Sequence, residues 1–373
     1  MNGVALLGST GNIGVQALDV MERCGIAPVA LAARRNASLL EEQARRYRPA
    51  LVTLENRQAG KALAIALADT PVKVRFGPEA AAEAAAHPAA GAVLNAMTGI
   101  AGLPPSLAAL SAGKRLLLAN KEALVAGGSL LRPREIIPVD SEHSAIFQCL
   151  RAGRKGLRRI ILTASGGPFR SLSREALREA SPEQAMRHPV WRMGPKVTAD
   201  SALLINKGLE LIEAMWLFGL PPERIDVLIH PQGTVHSLVE YADGALLAQL
   251  GTPDMRLPIQ YALLYPRRAP SLAAPLDLAL AEPLTFARPD MEAFGCLAAA
   301  YEAAKLGGSA GACYNAAAEV ASRAFTQGKI PFPRVAELIF SALGAIHITA
   351  SPDIGAIYAA DGETRRFVEE KIK

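Results

Sequence analysis

The stretch Val4-Ala-Leu-Leu-Gly-Ser-Thr-Gly-Asn-Ile-Gly14 decides the fold of this 373-residue chain. Four apolar residues, typical of a buried strand, run directly into three glycines, and a helix-like stretch follows over residues 15–23. Such glycines permit a tight turn and let the backbone approach a pyrophosphate, whose charge a helix N-terminus stabilises. The order of strand, turn and helix therefore predicts a dinucleotide site. Because the spacing is G-x-x-G-x-x-G rather than G-x-G-x-x-G, a glycine-rich turn without a ligand stays an alternative.

Strands and helices alternate after this turn as far as about residue 139. We expect strands at the apolar runs 4–7, 28–33, 51–54, 72–76, 93–96 and 116–119. Alanine-rich helical stretches such as 61–68 and 78–86 separate several of them. This alternation predicts an α/β fold with a Rossmann-like, doubly wound parallel sheet covered on both faces. Ligands bind at the carboxyl ends of such strands.

Two arginines follow the second predicted strand, in the run Arg34-Arg35-Asn36. A site for NAD usually places an acidic residue here to bind the ribose hydroxyls. Two guanidinium groups suit a 2′-phosphate instead, so the sequence favours NADPH. An exposed basic loop without a ligand is the alternative.

Three acidic residues predict a metal site. Asp140 and Glu142 alternate at the end of an apolar run, so in an extended segment both side chains point to one side. Glu210 lies one helical turn after Asn206 and Lys207, so these three share a helix face. Three carboxylates brought together offer hard oxygen ligands, which suit Mg²⁺ or Mn²⁺ better than Zn²⁺. Solvated surface acids are the alternative for either piece alone.

Composition limits the classes of function. Hydrophobic residues make up 50% of the chain and charged residues 20%, which indicates a soluble, helix-rich globular protein of two or three domains. No run of basic residues carries interleaved aromatics, so we expect no nucleic-acid partner. The formal net charge of +5 suits a phosphorylated substrate and cofactor.

The cysteines and the apolar runs indicate the cellular compartment of the protein. Four cysteines are scattered without metal-ligand or redox spacing, which is typical of buried thiols in a reducing compartment. The glycine turn lies almost at the initiator Met, so we expect no signal peptide. No apolar run is long enough to span a bilayer, so we expect no membrane partner and a cytoplasmic protein.

The remaining chain divides further. Residues 140–265 indicate an α+β domain with strands at 159–163, 225–229, 235–240 and 245–250 and a long helix over 201–218. We expect the last three strands to form an antiparallel sheet that faces water or a second subunit. The predicted domains are 1–139 for NADPH binding, 140–265 for catalysis and dimerisation, a proline-rich linker at 266–290, and a small helical domain at 291–373.

Two loops carry candidate binding groups. Ser165-Gly-Gly-Pro-Phe169 follows a predicted strand, and its backbone N–H groups and hydroxyl could hold a phosphate. The loop over 187–194 carries Trp191 and Met193, which would be costly to leave in water, so a lid closing over a ligand is predicted. A plain strand-ending turn and a loop packed on the body are the respective alternatives. His143 and His236 are more typical of structural histidines.

Together these motifs resemble the 1-deoxy-D-xylulose 5-phosphate reductoisomerases, NADPH- and metal-dependent enzymes of isoprenoid precursor synthesis. The resemblance extends over nearly the whole chain. It is carried by G-S-T-G-N-I-G at Gly8, L-A-N-K-E at Leu118, V-D-S-E-H at Val139, S-G-G-P-F at Ser165, H-P-V-W-R-M-G at His188, D-S-A-L-L-I-N-K-G-L-E at Asp200, H-P-Q-G-T-V-H-S at His230 and G-T-P-D-M-R at Gly251.

The resemblance implies rearrangement and NADPH-dependent reduction of 1-deoxy-D-xylulose 5-phosphate to 2-C-methyl-D-erythritol 4-phosphate by a homodimer. It implies metal ligation by Asp140, Glu142 and Glu210, which act in catalysis with Lys121 and Lys207. Substrate binding is implied for Ser141, Glu142, Ser165, His188, Trp191, Ser201, Asn206, Lys207 and Glu210. Cofactor binding is implied for Thr10, Gly11, Asn12, Ile13, Arg34, Arg35, Asn36, Asn120, Lys121, Glu122 and Gly194.

The chain departs from the usual family pattern at a few positions. Asn12 stands where Ser is common in the family. Gly233 stands where the family motif P-Q-S has its serine. In the lid, Val190 and Arg192 stand where the family motif H-P-N-W-S-M-G has Asn and Ser. The family motif N-A-A-N-E is N-A-A-A-E in this chain, beginning at Asn315. None of these changes removes a proposed metal or phosphate ligand.

Two other functions compete with this interpretation. Another two-domain NADPH-dependent reductase, such as a semialdehyde dehydrogenase, needs a nucleophilic cysteine. Cys149 is the candidate nearest the right place, but it is predicted mid-helix among core-like residues. A non-enzymatic NADPH-sensing regulator would have no reason to assemble three carboxylates with Lys207 and Ser165.

Overall fold

The structure, a computed structural model, describes residues 3–131, 135–187 and 194–373. The chain divides into two compact units. The first unit comprises Met1–Ala123, Leu131–Ser144 and Asp254–Ala274, and the second comprises Leu124–Leu130, Ala145–Pro253 and Pro275–Lys373. The finer division into three domains and a linker stays a prediction.

The elements follow each other along the chain as strands and helices of ordinary length. The strands are β1 (Gly3–Leu7), β2 (Pro28–Ala33), β3 (Leu51–Leu54), β4 (Lys73–Phe76), β5 (Ala90–Asn95), β6 (Arg115–Leu118), β7 (Ile136–Pro138), β8 (Leu157–Ala164), β9 (Ile225–Ile229), β10 (Val235–Tyr241) and β11 (Leu246–Leu250). The helices are α1 (Asn12–Arg23), α2 (Ala37–Tyr47), α3 (Arg57–Ala66), α4 (Ala80–Ala85), α5 (Leu103–Ser111), α6 (Lys121–Gly127), α7 (Ser141–Cys149), α8 (Arg174–Arg178), α9 (Pro182–Ala185), α10 (Pro195–Ala202), α11 (Ile205–Phe218), α12 (Arg256–Leu264), α13 (Gly295–Leu306), α14 (Ala310–Thr326), α15 (Phe332–Ala345) and α16 (Ile354–Ile372).

The first unit contains a seven-stranded sheet in the order β4-β3-β2-β1-β5-β6-β7. Every neighbouring pair is parallel, which confirms the predicted doubly wound sheet. The chain adds strands outward from β1 on one side and then outward from β5 on the other. The order therefore reverses between β1 and β5, and ligands of such sheets bind at the carboxyl ends of the strands beside this point.

The seventh strand of this sheet was not among the six predicted ones. It spans only three residues, and Pro138 cannot donate a hydrogen bond within a sheet. As the last strand in the order, it pairs only with β6, an edge position where proline is tolerated.

The second unit contains a four-stranded sheet in the order β11-β10-β8-β9. The prediction that its last three strands form an antiparallel sheet was wrong in part. β10 is antiparallel to both β11 and β8, but β9 lies beside β8 and parallel to it. Helices α8 to α11 separate β8 from β9, and a connection of this length is what a parallel pair requires.

The long helix predicted over residues 201–218 is two helices. α10 ends at Ala202 and α11 begins at Ile205, because Leu204 between them adopts a left-handed conformation with φ 54°. The break separates Ser201, on the first helix, from Asn206 on the second.

The C-terminal region is helical, as expected. α13, α14 and α15 are separated at the Gly307-Gly308 pair and before Phe332, where glycines and prolines predicted breaks. Residues 266–290 form no helix or strand apart from an isolated bridge between Ile229 and Ala287. Among the residues that the structure describes, no helix has both the length and the apolar character needed to cross a bilayer.

Close helix packing in the second unit depends on Gly208 of α11. A Cβ atom at this position would lie 2.8 Å from the Cβ of Ala300 and would also meet the hydroxyl of Tyr314. That hydroxyl is fully buried and donates to the carbonyl of Cys296 at 3.1 Å. Burial raises the pKa of Tyr314 well above its ordinary value, so the hydroxyl stays a donor.

We expect Gly208→Ala to lower the free energy of unfolding by about 2 kcal/mol, since overpacking a filled core outweighs the gain in helix propensity. Denaturant unfolding followed by circular dichroism measures the change. The matched control is Gly344→Ala in α15, where no atom lies within 4 Å of an added Cβ. That exposed substitution should raise stability by up to about 1 kcal/mol. Equal effects of the two substitutions would contradict the packing argument.

Candidate active site

The glycine turn between β1 and α1 is held tightly against its neighbours. Gly8 has φ 81°, and a Cβ there would lie 2.5 Å from the carbonyl oxygen of Ala96, just after β5. The N–H groups of Gly8 and Ser9 donate to the carbonyl of Ala32 in β2, at 2.8 and 3.0 Å. Only glycine fits at position 8, and the turn lies where the strand order reverses.

The start of α1 presents backbone donors. Gly11 is its N-cap and offers no side-chain cap, and the first helical bond runs from Val15 N–H to the carbonyl of Gly11 at 2.9 Å. The N–H groups of the first turn therefore have no partner within the helix, as at any helix start. Such groups bind anions, and the predicted residues Thr10 to Ile13 are half-buried or exposed here.

Gln43 supports the turn and was missed by sequence reasoning. Its side chain, nearly buried in α2, donates to the carbonyl of Ser9 at 2.9 Å. A glutamine on the buried face of a helix was the available signal, but its partner is distant in sequence.

Arg34 and Arg35 lie at the carboxyl end of β2, next to the glycine turn, and both are exposed. The Nε of Arg34 lies 3.4 Å from a carboxylate oxygen of Glu55, which follows β3. Asn36 caps α2 by accepting a hydrogen bond from Leu39 N–H at 3.1 Å. Two cations therefore stand where a dinucleotide fold meets the adenosine ribose.

Asn120 has a structural task in the first unit. Its fully buried side-chain amide donates to the carbonyls of Met97 and Gly99 at 2.7 and 2.9 Å. Its oxygen accepts from Ala123 N–H at 2.7 Å. The residue thereby ties the loop after β5 to the start of α6, which carries Lys121.

The chain turns from strand to helix at Asp140. The prediction of an extended segment through Glu142 was wrong: α7 begins at Ser141, and Ser144 N–H donates to the carbonyl of Asp140 at 2.8 Å. An aspartate is favoured just before a helix. Glu142 therefore lies in the first helical turn, where the dipole favours its charge.

The carboxylates of this segment have partners in the same unit. Lys121 Nζ lies 2.6 Å from a carboxylate oxygen of Asp140, and both side chains are largely buried. The hydroxyl of Ser141 donates to Glu142. The buried Nδ1 of His143 lies 4.0 Å from Asp140, too far for a hydrogen bond. Lys121 therefore supplies a counter-charge to Asp140.

In the second unit, the predicted helix face around Glu210 is confirmed. Asn206 Nδ2 donates to one oxygen of Glu210 at 2.6 Å, and Lys207 donates to the other. Glu210 and Lys207 are only 1% and 3% exposed, so a charged pair is held away from water. Breaking such a pair by removing one partner is strongly destabilising.

The Ser165 loop approaches α10 closely. Gly166 and Gly167 have φ 79° and 64°, and a Cβ on Gly167 would lie 3.0 Å from the carbonyl oxygen of Ser201. Gly167 N–H donates to the Ser165 hydroxyl at 3.3 Å. The structure thus places the loop that carries Ser165 against the backbone at Ser201. A turn with backbone donors suits an anion.

Asp200 anchors α10 and was also missed. It is 2% exposed, accepts from Ser322 Oγ of α14 at 2.8 Å, and lies 2.9 Å from Lys196 Nζ. An acid beside a predicted substrate serine was the signal that could have identified it.

The lid residues lie outside the described segments. They comprise His188, Val190, Trp191, Arg192 and Met193, so the predicted lid and the roles of His188 and Trp191 stay predictions. Gly194, which the structure describes, is the N-cap of α10.

The thiol of Cys149 does not suit nucleophilic catalysis. It is buried at the end of α7, and burial raises its pKa to about 11. A thiol with such a pKa is protonated near neutral pH, whereas reactive cysteines have a lowered pKa.

Comparison with known proteins identifies the family. Residues 4–128 match the family model of 1-deoxy-D-xylulose 5-phosphate reductoisomerase, and residues 136–218 match the model of its C-terminal domain. A further model, for a DXP reductoisomerase C-terminal domain, matches residues 250–367.

Relatives and solved structures agree with these matches. The 1-deoxy-D-xylulose 5-phosphate reductoisomerase of Heliobacterium modesticaldum is 50% identical over 379 residues, covering 99% of this chain and 97% of that protein. That of Symbiobacterium thermophilum is 49% identical, with 99% and 98% coverage. A crystal structure of DOX-P reductoisomerase in complex with NADPH, fosmidomycin and magnesium has a TM-score of 0.93 at 37% identity, covering 100% of this chain and 98% of that one. The Zymomonas mobilis enzyme in complex with NADPH has a TM-score of 0.93 at 40% identity, with 100% and 99% coverage. The chain therefore belongs to the 1-deoxy-D-xylulose 5-phosphate reductoisomerase family.

Proposed function

We propose that this chain converts 1-deoxy-D-xylulose 5-phosphate to 2-C-methyl-D-erythritol 4-phosphate with NADPH and a divalent metal, Mg²⁺ or Mn²⁺. The observation that carries the proposal is the buried carboxylate of Glu210, held by Asn206 and Lys207 in a chain of this family. A buried acid with two oriented donors is a prepared binding group rather than a solvated surface charge.

The donor chemistry fits the metal. We assign the ion to Asp140, Glu142 and Glu210, whose carboxylate oxygens are the ligands that Mg²⁺ and Mn²⁺ prefer. When bound, the ion acts as a Lewis acid on substrate oxygens that gain negative charge during the rearrangement. Lys121 and Lys207 add positive charge next to these carboxylates.

The chain's own residues bind and orient the substrate. The Ser165 loop and Ser201 hold the phosphate through backbone N–H and hydroxyl groups, while Asn206 and Lys207 reach the hydroxyl groups. Binding the phosphate away from the reacting carbons supplies energy for orientation. The rearranged carbon skeleton is a branched aldehyde, which takes a hydride from NADPH and a proton from solvent to give the product alcohol and NADP⁺.

The first unit binds NADPH in this proposal. The turn over Thr10, Gly11, Asn12 and Ile13 holds the pyrophosphate, and Arg34 and Arg35 hold the 2′-phosphate with Asn36. Asn120, Lys121 and Glu122 stand toward the nicotinamide, and Gly194, which belongs to the second unit, is assigned to the cofactor on the family resemblance alone. Since the Asn120 side chain is already hydrogen-bonded internally, its effect on the cofactor is to fix the loop over 97–99.

The rival reductase is disfavoured. A semialdehyde dehydrogenase forms a covalent intermediate on a cysteine, and the raised pKa of Cys149 opposes that role. The non-enzymatic regulator gives no account of a buried Lys207–Glu210 pair in the same unit as the Ser165 loop.

We further infer a cytoplasmic homodimer. β11 is an edge strand of the second sheet, and Leu246 and Leu247 on it are 54% and 38% exposed. An unpaired edge with apolar side chains is suited to pairing with a second chain. None of the four cysteines forms a disulfide, which is typical of a reducing compartment.

NADPH oxidation should require both 1-deoxy-D-xylulose 5-phosphate and a divalent metal, and exhaustive chelation should abolish it. Glu210→Gln should lower kcat at least about 100-fold, since a charge at the reacting centre is lost. The NADPH Kd should stay unchanged. Glu223→Gln, an exposed acid in the same unit, is the matched control and should leave kcat unaltered. Full activity of the chelated enzyme would refute the metal assignment.

Replacing Arg34 and Arg35 together with Ala should weaken NADPH far more than NADH, because only NADPH carries the phosphate they pair with. Titration of both dinucleotides measures the two Kd values. The control replaces Arg23 and Arg75, two exposed arginines elsewhere in the first unit. A preference for NADPH that survives the Arg34 and Arg35 replacement would show that this loop does not select the cofactor.

Light scattering should give the mass of a dimer at micromolar concentration. Leu246→Glu should shift the protein toward monomer, because it places a charge on the proposed apolar interface. Ile65→Glu, on α3 and 79% exposed, controls for adding a surface acid. A wild-type protein that is a stable monomer would count decisively against the dimer.

A further inference from the structure

A cavity of about 340 Å³ lies beyond the carboxyl ends of β2, β3 and β4 in the first unit. Its lining comes from three separate loops and consists of Arg34, Arg35, Glu55, Asn56, Arg57 and Pro78. Three of these six residues are arginines, and only the first two follow β2, where a dinucleotide fold selects its cofactor. Arg57 follows β3 and enters the same cavity from the neighbouring strand.

Backbone hydrogen bonds fix the two strand ends relative to each other. Glu55 N–H donates to the carbonyl of Ala33 at 3.2 Å, and Asn56 N–H donates to that of Arg34 at 3.0 Å. The segment that carries Arg57 is therefore tied directly to the segment that carries Arg34.

Arg57 itself is held by local structure. Asn56 caps α3 by accepting from Ala59 N–H at 2.9 Å, which makes Arg57 the first residue of the helix. Its guanidinium group lies over Gly77, where an added Cβ would be 3.5 Å from Nη2. Gly77 has φ 120°, a conformation that favours glycine, so the surface beneath the guanidinium stays flat.

The charges of the cavity match a phosphate monoester. Three guanidinium groups and one carboxylate leave two positive charges, and a phosphate monoester carries about −1.5 to −2 near neutral pH. Arg34 is engaged by Glu55 at 3.4 Å. Among the described residues, no acidic group lies within 4.0 Å of the Arg57 guanidinium.

We propose that Arg57 binds the 2′-phosphate of NADPH together with Arg34 and Arg35, and is a further determinant of the preference for NADPH over NADH. The inference rests on the proposed function, because it assigns a residue to the same cofactor. The pyrophosphate lies at the start of α1 and the ribose beyond the end of β2, so the 2′-phosphate points toward the cavity. Arg57 then closes the side opposite to β2 and offers its planar fork to the phosphate oxygens.

The test is equilibrium binding of NADPH and NADH to the full chain, by fluorescence titration without substrate or metal. Arg57→Ala should raise the NADPH Kd about 10-fold, since a charge-assisted hydrogen bond is lost, and leave the NADH Kd within about 2-fold. Arg57→Lys should give an NADPH Kd between those of the wild type and Arg57→Ala, because lysine keeps the charge but lacks the planar guanidinium that makes two hydrogen bonds to a phosphate. The Arg57→Ala effect should shrink at high salt, which screens an exposed pair.

Arg75→Ala is the matched control, because it removes an exposed arginine of β4 that does not line the cavity. It should change neither Kd. The NADH Kd reports whether each variant is folded, and the Lys variant repeats the comparison should the Ala variant fail to fold. An NADPH Kd unchanged in both Arg57 variants, or an equal loss for both dinucleotides, overturns the role of Arg57. A wild-type protein that binds NADPH no better than NADH would instead refute the cofactor assignment in the proposed function.

Discussion

The close approach of the glycine turn to the backbone after β5 is the constraint on which the nucleotide unit depends. A Cβ atom at Gly8 would lie only 2.5 Å from the carbonyl oxygen of Ala96, which leaves no room for a side chain. The same turn takes two hydrogen bonds from its N–H groups to Ala32 in β2. One residue without a Cβ thus lets three strand ends converge where the strand order reverses. The start of α1, the arginines after β2 and the loop after β5 all derive their positions from that convergence.

In the second unit, the corresponding constraint is the burial of the Lys207–Glu210 ion pair. The carboxylate of Glu210 and the ammonium of Lys207 are both nearly inaccessible to water, and separating either from its partner would leave a buried unpaired charge. Asn206 fixes the second carboxylate oxygen from the preceding position on the same helix. The left-handed residue Leu204 makes this possible, since it follows the end of α10 and allows α11 to begin with Asn206 and Lys207 in its first turn.

Sequence predicted the elements whose signal is local, and missed those that depend on distant partners. The strands at 28–33, 51–54 and 225–229 have the predicted bounds, because apolar runs between glycines and polar residues define them. The parallel pairing of β8 and β9 could not be predicted from strand spacing, since it depends on the long helical crossover between them. Glu142 was placed in an extended segment because of the alternation with Asp140, although an aspartate just before an acidic first turn also favours a helix start. The Glu210 face was correct because a separation of four residues is set by the helix alone. Gln43 and Arg57 were overlooked because their sites are completed by residues far away in sequence.

Three of the charged groups assigned to a ligand have an opposite charge within their own unit, and the strength of each pair differs with burial. Asp140 is paired with Lys121, Glu210 with Lys207, and Arg34 with Glu55. The first pair is largely buried and the second is buried, so the side chains are ordered before any ligand arrives and little order is lost on binding. The third pair is exposed, and such pairs contribute about 0–1 kcal/mol, so a phosphate can replace Glu55 on Arg34 at small cost. Fixed pairing is therefore found at the proposed metal ligands Asp140 and Glu210, and exchangeable pairing is found at Arg34, which is proposed to bind the cofactor. Among the described residues, no acidic group lies within 4.0 Å of the Arg57 guanidinium, so in its proposed role Arg57 has no pair to exchange and its interaction is available to a phosphate and absent for a hydroxyl.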